Sequence, residues 1–209
     1  MRYGLAIFDF DGTLADSFPW FLGVVNRLAE ELGFRRIEEH EVEGLRGQSA
    51  RQLMAHLGVP AWKLPRIAGR MREHMARDIG LISLFPGVDD LLRELEGRGV
   101  QLAVVTSNSL DNVRRVLGPG NAGLIRHYAC GASLLGKRPK LREVLRAGGL
   151  PAARAISIGD EIRDLEAARA EGIAFGAVAW GYTDPAALRA QRPEEVFESL
   201  EEILLKLAR

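Results

Sequence analysis

Leu5-Ala6-Ile7-Phe8-Asp9-Phe10-Asp11-Gly12-Thr13-Leu14 is the stretch on which the reading of this chain turns. Leu5 to Phe8 is an uninterrupted apolar run with the length of a short buried strand. It closes on two carboxylates one residue apart, followed by a glycine and a hydroxyl. Burying an unpaired charge is costly, so a strand in a core does not ordinarily end this way. At the mouth of a sheet, such a pair can hold a divalent cation and attack phosphorus. Alone, the pair fits a plain turn equally well, and the rest of the chain decides.

Beyond it, apolar runs of strand character recur at 101–105, 127–130, 155–158 and 173–178, the first strand spanning residues 3–8. Helical patterns lie between them at 88–95, 110–117, 141–147 and 162–171, each stopped by a glycine where a C-terminal cap is expected. This alternation predicts an α/β fold built on a parallel sheet flanked by helices. Residues 17–82 break the pattern. Trp20, Phe21, Val24, Val25, Leu28 and Leu32 recur at helical spacing up to Gly33; Ser49 is placed to cap a helix carrying Leu53, Met54 and Leu57; a third helical segment covers 62–79. The expected organisation is a core of residues 1–16 and 83–209 with an all-helical cap domain inserted over 17–82. A final amphipathic helix is expected over 196–207.

Composition narrows the function classes. With 209 residues the chain can bury one sizeable core plus a small accessory unit. Its 28 basic and 28 acidic residues cancel, which leaves no basic field to attract nucleic acid. No apolar run approaches membrane-span length. The first strand starts almost at the N-terminus, which predicts no signal peptide, and the single cysteine, Cys130, points to a reducing compartment, the cytoplasm. The four histidines are scattered without metal-ligand spacing, and packing or surface roles are expected for them and for Trp20, Phe21 and Cys130.

Four segments fit together chemically. They are Asp9-x-Asp11-Gly12-Thr13; Thr106-Ser107-Asn108 at the end of the second strand; Gly136-Lys137 before a helix; and Gly159-Asp160-Glu161-Ile162-Arg163-Asp164 after the fourth strand. In an open parallel sheet the loops at the carboxyl ends of the strands converge on one crevice. Asp9 can attack phosphorus and split one hard displacement into two easier ones. Asp9 and Asp160 supply carboxylates for Mg²⁺, and Asp164 lies one helical turn beyond to orient a ligand. Thr106 and backbone N–H groups near Ser107 and Asn108 can cradle phosphoryl oxygens. Lys137 neutralises charge, Asp11 can protonate the leaving alkoxide and then activate water, and Gly12 lets the backbone pass close to the substrate, beside Thr13. Each segment alone has an ordinary explanation in a cap, turn or solvated side chain; their order and spacing together do not.

These segments resemble the motifs of haloacid dehalogenase superfamily phosphatases with a helical cap after the first strand, in particular phosphoglycolate phosphatase-like proteins. Asp9 and Asp11 match the first motif, Thr106 the second, Lys137 the third, and Asp160 with Asp164 the fourth. Asp16-Ser17 and Trp180-Gly181-Tyr182 also fit that branch. The resemblance implies a Rossmann-like sheet, a Mg²⁺ requirement, an aspartyl-phosphate intermediate, and metal binding by the backbone carbonyl of Asp11. It implies a small phosphorylated metabolite as partner, with neither nucleic acid nor membrane, for a monomer or homodimer. Relatives often continue the third motif as Pro-x-Pro, whereas this chain reads Lys137-Arg138-Pro139-Lys140, so Lys140 competes for the lysine role. Arg46-Gly47-Gln48 lies where the cap loop of relatives enters the site, which makes Arg46 a candidate substrate contact and an interhelical turn the alternative. Two other activities share the residue types: a phosphosugar mutase on the same fold, and a non-enzymatic phospho-acceptor of receiver type, which would be shorter and lack the insertion. A dehalogenase is disfavoured by the presence of Asp11.

Overall fold

In the computed structural model, residues 2–48, 50–132 and 136–207 are described; Ser49, the expected helix cap, lies outside the described residues. In chain order the elements are β1 (Leu5–Phe8), β2 (Ala15–Asp16), α1 (Phe18–Leu32), α2 (Val42–Arg46), α3 (Ala50–His56), α4 (Leu64–Arg77), β3 (Ser83–Leu84), α5 (Val88–Gly97), β4 (Gln101–Val105), α6 (Leu110–Leu124), β5 (His127–Ala129), α7 (Arg138–Gly148), β6 (Ala155–Gly159), α8 (Ile162–Ala170), β7 (Ala174–Val178), α9 (Pro185–Ala190), β8 (Glu195–Phe197) and α10 (Leu200–Leu207).

Six strands form one sheet in the order β5-β4-β1-β6-β7-β8, every pairing parallel. β1 is central. Ile7 stands between Ala103 and Ser157, and Phe8 between Val104 and Ile158. Successive side chains of a strand point to opposite faces, so Ala6 and Phe8 join Leu102, Val104, Ile156 and Ile158 in one buried cluster. Leu5 and Ile7 join Ala103, Val105 and Ala155 in the other. Helices cover both faces, which is why these strands read as continuous apolar runs rather than alternating ones. The order reverses about β1, so the loops after β1, β4 and β6 open into one crevice.

The helices between β2 and β3 contribute no strand to that sheet and have a buried cluster of their own, including Val25, Ile37, Leu57, Leu64 and Ile67. The two passages of chain that lead into and out of them run side by side: Ala15 pairs with Leu84 and Asp16 with Ser83, antiparallel. Neither this two-residue pairing nor the short helices α2 and α9 carries enough residues to show a period.

The expected helix over 196–207 is in fact a strand and a shorter helix. Val196 pairs with Ala177 at the sheet edge, and helix begins only at Leu200. Val196, Leu200, Ile203 and Leu207 also recur at helical spacing, which masked a three-residue strand. The helix expected over 110–117 continues to Leu124 across a kink at Gly118, whose φ of 70° is not helical. The helix expected to stop at Gly97 includes it and turns at Gly99. The helix expected over 141–147 starts a turn earlier, at Arg138, with Pro139 in its first turn. Among the described residues no helix is long and apolar enough to cross a membrane.

Candidate active site

The loops that follow β1, β4 and β6 meet as their topology requires. Asp9 continues the β1 ladder, its N–H donating to the Ile158 carbonyl at 2.8 Å. Its Oδ1 accepts from Phe10 N–H at 2.7 Å and lies 2.7 Å from Lys137 Nζ. Lys137 also reaches Asp164 Oδ1 at 2.8 Å. All three side chains are buried. Lys137 precedes α7, whose first-turn Pro139 fixes where that helix begins. Lys140, one turn later, pairs with Glu143 at 3.0 Å on the outer face, so the lysine beside Asp9 is Lys137.

Asp160 is fully buried at the end of β6. Its Oδ1 accepts from Thr13 Oγ1 and its Oδ2 from Tyr182 N–H, both at 2.8 Å. Gly12 makes this approach possible. Its φ is +75°, and a Cβ there would lie 2.5 Å from Asp160 Oδ2. One carboxylate oxygen from each of Asp9, Asp160 and Asp164 can be chosen so that all three lie within 4.8 Å of one another. Asp11's carboxylate stands outside this group. It is half-buried, and its Oδ2 accepts from Asn108 Nδ2 at 3.0 Å.

Thr106 and Asn108 are buried at the end of β4. Asn108 N–H donates to Thr106 Oγ1 at 3.0 Å, so that backbone donor is committed to the loop. Ser107 is half-buried, and its carbonyl accepts from Arg72 Nη1 of α4 at 3.2 Å. The helix cap is Ser109, whose Oγ accepts from Asn112 N–H. Arg46 is not directed at these groups. Its Nη2 donates to the Gly181 carbonyl and its Nε to the Tyr182 carbonyl, each at 3.0 Å, while its own carbonyl accepts from Asp184 N–H at 2.9 Å.

The charges set one another. Burial alone would raise the Asp9 carboxyl, but the Lys137 ammonium and the Arg163 guanidinium outweigh it and hold Asp9 below the usual carboxylate range. Burial, then the Asp9 charge, pushes Asp11 up to about 6. Burial, with Asp9 and Glu161, pushes Asp160 up to about 8. Burial also raises Asp164, against the pull of Lys137. Lys137 is raised despite burial, by Asp164 and Asp9.

Lys137 is thus shared by Asp9 and Asp164, and Arg163 is bound to Glu161 at 2.5 Å. Asp164 Oδ2 is buried with no hydrogen-bond partner. An oxygen-only donor set of crowded carboxyls with an orphaned buried oxygen fits a hard divalent cation such as Mg²⁺.

Three participants had weak or no sequence signals. Tyr182 lies against Phe18 and Phe21 with ring centroids 4.9 and 5.5 Å away, and its hydroxyl is 2.9 Å from Ser17 Oγ. Only the family-like Trp180-Gly181-Tyr182 segment pointed to it. Arg163 pairs with Glu161 two residues away, a spacing that helix-face reasoning does not pair. Arg72 was one of several arginines along a helix, and only the contact with Ser107 singles it out.

The profile of the haloacid dehalogenase-like hydrolase family matches residues 6–178, which includes all four segments. The chain belongs to this family. A phosphoglycolate phosphatase of Synechococcus elongatus is 35% identical over 199 residues, covering 95% of this chain and 94% of that protein. A tyrosine-protein kinase, PtkA, of Mycobacterium tuberculosis is 31% identical over 185 residues, covering 85% of this chain but 62% of that one. Among solved structures, a protein of Lactobacillus plantarum described as a candidate phosphoglycolate phosphatase superposes with a TM-score of 0.82 at 25% identity, covering 99% of this chain and all of that one. This haloacid dehalogenase-like chain therefore has phosphoglycolate phosphatase-like relatives in both sequence and fold.

Proposed function

We propose that this phosphatase hydrolyses a small-molecule phosphate monoester in a Mg²⁺-dependent reaction through an aspartyl-phosphate on Asp9. The observation that carries the reading is the group of three buried carboxylates, Asp9, Asp160 and Asp164, two of which, Asp9 and Asp164, pair with Lys137. Mg²⁺ held by Asp9, Asp160 and the Asp11 backbone, with Asp164 beside them, would supply the positive charge that lets an anionic nucleophile meet an anionic ester.

The chain's own residues do the rest. A carboxylate oxygen of Asp9, kept ionised by Lys137, forms a bond to phosphorus as the ester P–O bond breaks. Asp11, whose raised pKa of about 6 retains protonated carboxyl near neutrality, gives its proton to the departing alkoxide. It then takes a proton from the water that cleaves the aspartyl-phosphate, releasing phosphate and restoring Asp9. Thr106, Ser107 and Asn108 line the side where phosphoryl oxygens would sit, Gly12 and Thr13 keep the backbone close, and Lys137 balances charge at each step. The helical insertion, residues 17–82, serves as a cap that excludes bulk water from a core of residues 1–16 and 83–209. Arg46 acts as its clasp on Gly181 and Tyr182.

Phosphoglycolate, named for relatives, is the first compound to try. The decisive test is Asp9→Asn against p-nitrophenyl phosphate with Mg²⁺. Turnover should vanish while the circular dichroism spectrum stays that of the native chain; near wild-type turnover would overturn the mechanism.

A further inference from the structure

The site opens onto a cavity of about 210 Å³. The cavity is lined by Asp11 but not by Asp9, Lys137, Asp160 or Asp164, so it adjoins the proposed acid–base and not the nucleophile. In the mechanism above, that is where the departing alcohol must lie. This inference rests on that reading and extends it to the chemistry of the alcohol.

The lining is divided by origin. From the inserted helices come apolar side chains, among them Val25, Leu28, Leu57, Ile67 and Met71. Polar lining comes chiefly from the loops after β1, β4 and β6. Its cations are engaged: Arg163 binds Glu161 through Nε at 2.9 Å and Nη2 at 2.5 Å, and Arg72 donates to the Ser107 carbonyl at 3.2 Å. Glu161 balances Arg163 in charge, and Arg72 is held on a neutral carbonyl at the rim. A leaving group bearing a carboxylate would lie mostly against hydrocarbon, with both arginines already engaged by protein groups, and burying its charge there is costly. An apolar group would gain by leaving water, about 25 cal/mol for each Å² covered. An engineered apolar cavity of about 150 Å³ already admits benzene, so this one has room for a ring and a short chain.

We infer that the preferred substrate is a phosphate monoester of an apolar alcohol, with the hydrocarbon part seated between α1 and α4 and the bridging oxygen at Asp11. Hydrolysis breaks the ester P–O bond as Asp9 bonds to phosphorus, transfers the Asp11 proton to the departing alkoxide, and releases phosphate when water attacks that phosphorus and frees Asp9.

The test compares kcat/KM, at saturating Mg²⁺, for 2-phenylethyl phosphate, ethyl phosphate and 2-phosphoglycolate. The first two release similar alkoxides, so their ratio reads pocket fit and not leaving-group reactivity. The expected result is at least a ten-fold advantage for 2-phenylethyl phosphate over both others. Ala68→Phe, which adds a ring to the lining, should lower that advantage at least ten-fold, although the wild-type ratio decides without any variant. Equal rates for the two alkyl esters, or a preference for 2-phosphoglycolate, overturn the apolar pocket and leave the phosphatase standing. No hydrolysis of any of the three overturns both.

Discussion

Gly181 lies so close against Asp160 that a Cβ at position 181 would sit 2.5 Å from Asp160 Cγ. The residue that follows, Tyr182, donates its N–H to Asp160 Oδ2. The loop after β7 is thus the wall that holds a proposed metal ligand. Gly181→Ala should push Asp160 out of place and weaken Mg²⁺ binding by about 10–100-fold, the usual penalty for disturbing a ligand's support. Gly97→Ala, where nothing lies within 4 Å, should leave it unchanged. Calorimetric Mg²⁺ titration of both variants checks this, and wild-type affinity in Gly181→Ala would contradict it.

Lys137 and Lys140 should separate cleanly. Removing Lys137 leaves Asp9 and Asp164 buried without their cation, a change that costs about 3–5 kcal/mol. Lys137→Ala is therefore expected to lose both turnover and several degrees of Tm. Lys140→Ala breaks only an outer pair with Glu143, worth about 0–1 kcal/mol. Loss of activity in Lys140→Ala with full activity in Lys137→Ala would reverse the assignment.

Acidity links the cluster to metal. A carboxyl whose folded pKa lies above its unfolded value of about 4 binds its proton more tightly when folded. Asp160, at about 8, therefore stabilises the metal-free fold fully below the unfolded value, and that stability is lost as pH rises through about 8. Asp164, also raised, acts in the same sense. Asp9, lowered, contributes stability that is lost only in acid. At pH 7 Mg²⁺ should displace the Asp160 proton, and its apparent affinity should fall as pH drops below about 8. Calorimetric titrations in two buffers of different ionisation enthalpy count the released protons. Identical heats in both would rule this out.

Arg46 joins the insertion to the core through two carbonyls, and hydrogen bonds to a charged group contribute about 1.5–3 kcal/mol each. Arg46→Ala should lower Tm and speed amide exchange in the loop carrying Gly181 and Tyr182. A direct substrate contact would instead raise KM with Tm and exchange unchanged. Glu43→Ala, which removes an exposed partner 3.3 Å away, serves as the comparison.

What the residues disclosed followed from how local each signal was. Strands buried on both faces announced themselves as apolar runs, and their order brought Asp9, Thr106, Lys137 and Asp160 to one crevice by topology alone. The edge strand at Val196 was hidden because three residues cannot display a period of two. Arg46 was a candidate substrate contact, with an interhelical turn as the alternative, because the resemblance puts the cap loop of relatives there, whereas its partners in the fold, Gly181 and Tyr182, lie 135 and 136 residues away. Contacts of that span leave no mark in local sequence, and the Arg163–Glu161 pair left none because its spacing is not that of a helix face.

The position of β1 governs when the site can exist. The first strand of the chain is the middle strand of the sheet, and one of its two neighbours, β6, is made of residues 155–159. Thr13 waits for a partner 147 residues downstream. A chain emerging from the ribosome therefore carries Asp9 on a strand with an open edge until most of its length has been synthesised, a long loop that must close late and slowly. On the proposed mechanism, activity comes late in synthesis: an N-terminal fragment ending before Asp160 would lack a metal ligand and should hydrolyse no ester.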